Sequence, residues 1–227
     1  MTVEARRLEV LEALGVAAYV PRTREGGGQA GLPVAVATPD WESLAEAVRD
    51  CRLCGLCQTR TQTVFGVGSR SARLMVIGEA PGADEDRQGE PFVGRAGVLL
   101  NAMLRAAGFE RGEVYIANVL KCRPPQNRDP TDEEAGRCLP YLRRQIELVA
   151  PEAILCVGRI AAHRLLDTDM PIGKLRGRVH SLDGRPVIVT YHPAYLLRSP
   201  GEKRKSWDDL KIALGVLAAG GADVGRT

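Results

Sequence analysis

The run LMVIG (74–78) is followed at once by EAPGADEDRQGEPFVG (79–94) and then by RAGVLLNAMLRAAG (95–108). A short apolar run, a glycine-rich turn and a segment with apolar residues at helical spacing form a strand–loop–helix unit. Such units build parallel sheets, and the turn then sits at the carboxyl edge where open α/β folds bind ligands. The pattern recurs along the chain, with β-type runs at 114–119, 153–158 and 186–191 and helical patterns between them. Four such runs predict a four-stranded parallel sheet with helices on both faces, a three-layer α/β/α sandwich closed by a last helix at 207–219. The turn itself is not a phosphate loop. It matches neither G-x-G-x-x-G nor G-x-x-x-x-G-K-[ST] and lacks the lysine that would face a phosphate. Glu79, Asp84, Glu85, Asp86 and Glu90 would repel a polyphosphate, which disfavours a nucleotide-binding α/β protein.

Working outward, RRLEVLEALGVAAYV (6–20) has apolar residues at helical spacing and stops at Gly15. Residues 1–22 are expected to form an amphipathic docking helix, and the Gly- and Pro-rich residues 23–39 a flexible linker. Residues 40–219 make the main domain and 220–227 a disordered tail. The 227 residues carry a net charge of +3, which permits nucleic-acid binding without demanding it. No apolar run approaches a membrane span, and the charged residues among the first 22 exclude a signal peptide. A cytoplasmic protein, in the bacterial cytosol or nucleoid, is expected, and nothing suggests a dimer. Three of the six cysteines fall in CRLCGLC (51–57). That density points to metal ligation, and the spacing suits the start of a ferredoxin-like cluster or a zinc site equally.

Three strings carry a resemblance: GEAPGADEDRQGEPFVGRAG (78–97), ANVLKCRPPQNRDP (117–130) and YHPAYLLRSP (191–200). In this order they resemble the signatures of the family 4, iron–sulfur uracil-DNA glycosylases, over about residues 51–211. The resemblance implies a uracil-DNA glycosylase-like fold. It also implies a repair enzyme that flips uracil out of single- or double-stranded DNA and hydrolyses its N-glycosidic bond without a lyase step. The loop from Gly78 would hold the extruded nucleotide and the attacking water. Phe92 falls where the family stacks an aromatic ring on uracil, an interaction worth roughly 1–3 kcal/mol per base. Asn118, at a strand end, can accept from uracil N3–H and donate to O4, the opposite of what cytosine presents. His192, also after a strand, can stabilise charge developing on O2 of the leaving base. In better-known uracil glycosylases an aspartate precedes the motif proline, where this chain has Ala80 before Pro81. The resemblance therefore points to Glu79 and then Glu85 for the water. His163 and His180 are read as ordinary helix and loop residues.

The same resemblance selects Cys51, Cys54, Cys122 and Cys138 as ligands of one [4Fe–4S] cluster. Cys57 becomes a bystander, and Cys156 a buried hydrophobe. Lys121, Arg123 and Arg128 flank Cys122, while Arg198, Lys203, Arg204 and Lys205 follow His192; both groups are expected to meet DNA phosphates. Leu196 and Leu197 are candidate wedges for the gap left by an extruded base. Residues 1–22 also resemble, over a short span, the amino-terminal peptide of the bacterial clamp-loader psi subunit, which implies a replication partner. The competing function is a non-catalytic iron–sulfur nucleic-acid-binding module associated with DNA replication.

Overall fold

The computed structural model describes residues 40–223. The helix and linker expected in residues 1–39 lie outside the described residues, as do the last four residues of the tail. The main domain opens on helix α1 (Trp41–Arg49), whose cap is the Asp40 carboxylate accepting from Ser43 N at 2.9 Å.

Four strands form the centre of the sheet: β2 (Leu74–Gly78), β3 (Tyr115–Asn118), β4 (Ala153–Val157) and β6 (Arg185–Thr190). They lie parallel in the order β3-β2-β4-β6, with Val76 opposite both Ile116 and Leu155. Every residue of β2, β3 and β4 is buried, which is why these strands read as continuous apolar runs rather than alternating ones.

The sheet is six-stranded and mixed rather than four-stranded. A two-residue strand β1 (Val67–Gly68) pairs antiparallel with β3, and β5 (Val179–Leu182) pairs antiparallel with β6. Gly68 has φ +116°, and a Cβ there would lie 1.8 Å from Val114 O. β1 therefore closes on β3 by backbone approach, which leaves no side-chain pattern to read. β5 and β6 are joined through Asp183 (φ 49°) and Gly184 (φ 82°), the paired positive φ of a tight hairpin turn.

Alternate strand residues feed two helical layers. Met75, Ile77 and Ala117 pack with Leu142 and Ile146 of α4 (Asp132–Val149) and Leu165 of α5 (Arg159–Leu166). Leu74, Val76 and Ile116 pack on the other side with Leu100 and Leu104 of α3 (Arg95–Ala106) and Leu210 of α8 (Lys203–Asp223). The three-layer sandwich is thus present. Helix α8 begins four residues before the expected start and continues through residues 220–223, the first part of the expected tail. Short helices α2 (Ala83–Gln88), α6 (Ile172–Leu175) and α7 (Pro193–Arg198) complete the order. The connection from β2 leads to β3 on one side, and that from β4 leads to the β5–β6 hairpin on the other. This switch point opens a crevice at the carboxyl ends of the strands.

Candidate active site and cysteine recess

At that edge a cleft of ≈ 460 Å³ is lined by Glu79, Glu85, Phe92, Asn118, His192 and Arg198, among others. These residues come from three separated stretches of sequence and meet because β2, β3 and β6 all end here. A second lobe of ≈ 430 Å³ shares Glu79 and His192 and extends over Gly158, Arg159 and Tyr191.

Gly78 lies against Asn118 and Phe92. A Cβ built on it would lie 2.4 Å from Asn118 Oδ1 and 2.6 Å from Phe92 Cζ, so only glycine lets those two side chains meet over the strand end. Asn118 is 2% exposed, and its Oδ1 is buried without a hydrogen-bond partner. A buried amide oxygen left unpaired costs about 1–3 kcal/mol, which a ligand donor would recover.

Phe92 holds φ 54°, unusual for a non-glycine residue. Arg111 clamps that conformation, donating to Pro91 O at 2.6 Å, Phe92 O at 3.4 Å and Asn101 Oδ1 at 3.1 Å. Gly97 gives it room, since a Cβ there would lie 1.8 Å from Phe92 O. The Phe92 ring stacks on His192 with centroids 5.6 Å apart and planes 29° from parallel.

His192 caps α7. Its Nδ1 accepts from Ala194 N at 3.1 Å, so in the neutral ring Nε2 carries the proton. Burial, and secondly the charge of Arg198, push its pKa down to about 4, so the ring is neutral at physiological pH.

The carboxylates divide sharply. Glu85 is fully engaged: Oε1 accepts from Val93 N at 3.0 Å and Gly94 N at 3.2 Å, and Oε2 from Gly82 N at 3.1 Å. It ties the two ends of the turn around Phe92. Asp86 is buried and accepts from Thr61 N. Glu79 faces the cleft, and burial, reinforced by Asp129, pushes its carboxyl up to about 7. Asp129 in turn pairs with Arg159 at 2.9 Å. Arg111, Asp129 and Arg159 escaped the sequence reading because each acts through partners distant in sequence, Arg111 on Pro91, Phe92 and Asn101 and Arg159 on Asp129, which only the fold brings together.

The expected DNA-facing residues fare differently. Lys121 is 1% exposed, and its ammonium donates to Phe65 O, Asn118 O and Gln145 Oε1, so it cannot reach a phosphate. Leu196 is 1% exposed, packed inside α7, and is not presented to DNA in this conformation; Leu197 is 37% exposed. Arg198 is exposed at the cleft rim, and Arg123 is half-buried, donating to Asn127 Oδ1 at 2.8 Å.

Cys51, Cys54, Cys122 and Cys138 line one recess, together with Cys57, Arg60 and Tyr141. Cys156 is buried in β4, away from it. Arg60 donates to Cys122 Sγ at 3.0 Å and to Cys51 O at 2.9 Å, and Lys121 N to Cys138 Sγ at 3.2 Å. Burial pushes the Cys138 thiol up to about 12 and raises those of Cys54 and Cys122. Among the described residues no three Cys, His, Asp or Glu side chains converge on a single-ion site. The thiols instead line a tight recess, of which ≈ 10 Å³ admits the centre of a water molecule. Metal–thiolate bonds of about 2.3 Å are shorter than non-bonded contacts, so a group bonded to the walls can use space that water cannot.

The site is thus a cleft at the switch point of a doubly wound sheet, with the Phe92 ring and the unpaired Asn118 amide oxygen at the strand ends. Residues 65–211 match the family model of the uracil DNA glycosylase superfamily. The chain is 47% identical over 181 residues to the type-4 uracil-DNA glycosylase of Archaeoglobus fulgidus, covering 75% of this chain and 91% of that one. It is 46% identical to the type-4 enzyme of Thermotoga maritima (70% and 83% covered) and 40% identical to that of Pyrobaculum aerophilum (78% and 94%). The chain belongs to the uracil-DNA glycosylase superfamily, and within it to the type-4 uracil-DNA glycosylases. No helix among the described residues is long and apolar enough to cross a membrane.

Proposed function

We infer that this protein excises uracil from DNA by hydrolysing the bond between the base N1 and deoxyribose C1′, leaving an abasic site. The observation that carries the reading is the unpartnered Oδ1 of Asn118, buried over Gly78 and beside Phe92. Uracil N3–H is the donor that oxygen lacks. Cytosine N3 is an acceptor and would leave both groups unpaired in a dry site, the kind of mismatch that discriminates strongly.

Phe92 stacks on the extruded base. As the C1′–N1 bond lengthens, electrons move onto the base and charge collects on O2, and neutral His192 offers Nε2–H to it. Ionised Glu79 orients the water that adds to C1′ and stabilises the positive charge on the sugar; Glu85 holds the turn that carries Phe92.

Cys51, Cys54, Cys122 and Cys138 are proposed to hold one [4Fe–4S] cluster. Thiolates are the soft donors it requires, and they ring a recess rather than a point. When bound, the cluster supplies cross-linking between the start of the domain and the segment after Asn118. Arg198, Arg123 and Leu197 are proposed to meet the DNA strand. Residues 1–22 are proposed to dock a replication protein. The test of the reading is release of free uracil from a uracil-containing oligonucleotide, with a thymine-containing strand left untouched.

A further inference from the structure

Lys121 has the composition of a surface residue and the surroundings of a core one. Its Nζ donates at 2.9 Å to Asn118 O, at 2.6 Å to Gln145 Oε1 and at 3.2 Å to Phe65 O. Three acceptors satisfy the three protons of an ammonium. Gln145 is itself fixed, 0% exposed, with Nε2 donating to Phe65 O at 2.9 Å and to Tyr115 Oη at 3.1 Å. The main-chain N–H of the same lysine donates to Cys138 Sγ at 3.2 Å. One residue therefore touches both the main chain of Asn118 and a thiol of the recess.

Burying a cation costs several kcal/mol unless its partners are well placed, and an apolar residue of similar length would fill the space without that cost. What the ammonium adds is direction. Asn118 is the last residue of β3, where the sheet pairing ends opposite Gly78. The segment after it runs beside the turn from Gly78, with Val119 N donating to Gly78 O at 2.9 Å and Leu120 N to Glu79 O at 3.0 Å, and only then turns towards Cys122. Nζ reaches back three residues to hold the Asn118 carbonyl at that turn.

We propose that Lys121 is a positioning residue for base recognition: it fixes Asn118 through the Asn118 carbonyl and joins the cysteine recess to the uracil-reading amide. This rests on the assignment of Asn118 as the residue that reads the base.

The test is a double-mutant cycle with a crystal structure. Lys121→Met should retain iron and sulfide, yet lower kcat/KM on a uracil oligonucleotide at least tenfold. In an Asn118→Ala background the same substitution should cost less than twofold, because its effect passes through the missing amide. The Lys121→Met crystal structure should show the Asn118 side chain displaced from Gly78. Equal losses in both backgrounds, or an undisplaced Asn118, would overturn the proposal. If Lys121→Met does not fold, Gln145→Leu removes one acceptor and leaves the lysine in place. Its smaller loss should likewise vanish in the Asn118→Ala background, and a loss that persists there counts against the proposal. A wild-type protein that releases no uracil would refute the assigned activity, and the position of Asn118 in the variant crystals would still decide the positioning role.

Discussion

Gly78 and Asn118 close on each other so tightly that a methyl group on Gly78 would stand 2.4 Å from Asn118 Oδ1. The strand partners Gly78 and Asn118 are in register at the ends of β2 and β3, so the conflict cannot be relieved by sliding the strands. Gly78→Ala should therefore push Asn118 and Phe92 apart and lower uracil excision at least tenfold, about 1.4 kcal/mol or more in the barrier. Kinetics and a melting curve on the same preparation check this: activity should be lost with the fold retained.

The pH profile should report Glu79. Its carboxyl, raised to about 7 by burial, is protonated in acid and cannot orient water by accepting its proton. kcat/KM should fall tenfold per pH unit below about 7, and Glu79→Gln should be slow at every pH without that limb. His192, lowered to about 4, adds no limb between pH 5 and 8. The folded state prefers the protonated carboxyl more than the unfolded chain does, so stability declines as pH rises from about 4.5 to 7. Glu79→Gln should recover on the order of 1–2 kcal/mol at pH 8, allowing for partial exposure, and nothing at pH 4. Melting temperatures at the two pH values measure the difference.

Metal analysis should find iron and inorganic sulfide, and a zinc-only protein would refute the cluster. Alanine at Cys51, Cys54, Cys122 or Cys138 should abolish the visible absorption. Cys156→Ala should not, because that thiol is buried in β4. Cys57→Ala is the sharper control: this thiol lines the same recess, yet is expected to be dispensable.

DNA binding should depend on the rim and not on Lys121. Arg198→Ala should weaken binding of any strand and reduce the dependence of affinity on salt by about one phosphate contact. Leu197→Ala should slow excision from duplex more than from single strands, since a wedge matters where a stack must be opened. Binding titrations at several salt concentrations, with a Lys121→Met control of unchanged salt slope, check both.

What the sequence disclosed follows from where information is local. The central strands were legible because burial on both faces makes them unbroken apolar runs, and Asn118 and His192 because they follow such runs directly. The edge strands were missed for different reasons. β1 has only two residues and pairs through glycine backbone, whereas β5 is half-exposed and carries no unbroken apolar run, its Asp183–Gly184 turn being the one local mark of the hairpin. Lys121 was misplaced because a charged residue among arginines looks like a phosphate contact. Its three acceptors, at Phe65, Asn118 and Gln145, are brought together only by the fold. Glu79 and Glu85 looked equivalent in an acidic turn, and hydrogen bonds from Gly82, Val93 and Gly94 to Glu85 separate them.

The most direct measurement is single-turnover excision by the full chain on oligonucleotides carrying one uracil or, as control, one cytosine, comparing wild type with Asn118→Ala. The wild type should release free uracil and leave a strand that breaks only on alkali treatment, should not touch cytosine, and should outpace Asn118→Ala at least tenfold. No uracil from the wild type, or equal rates from the two proteins, would contradict the assignment of this cleft as the site of uracil excision.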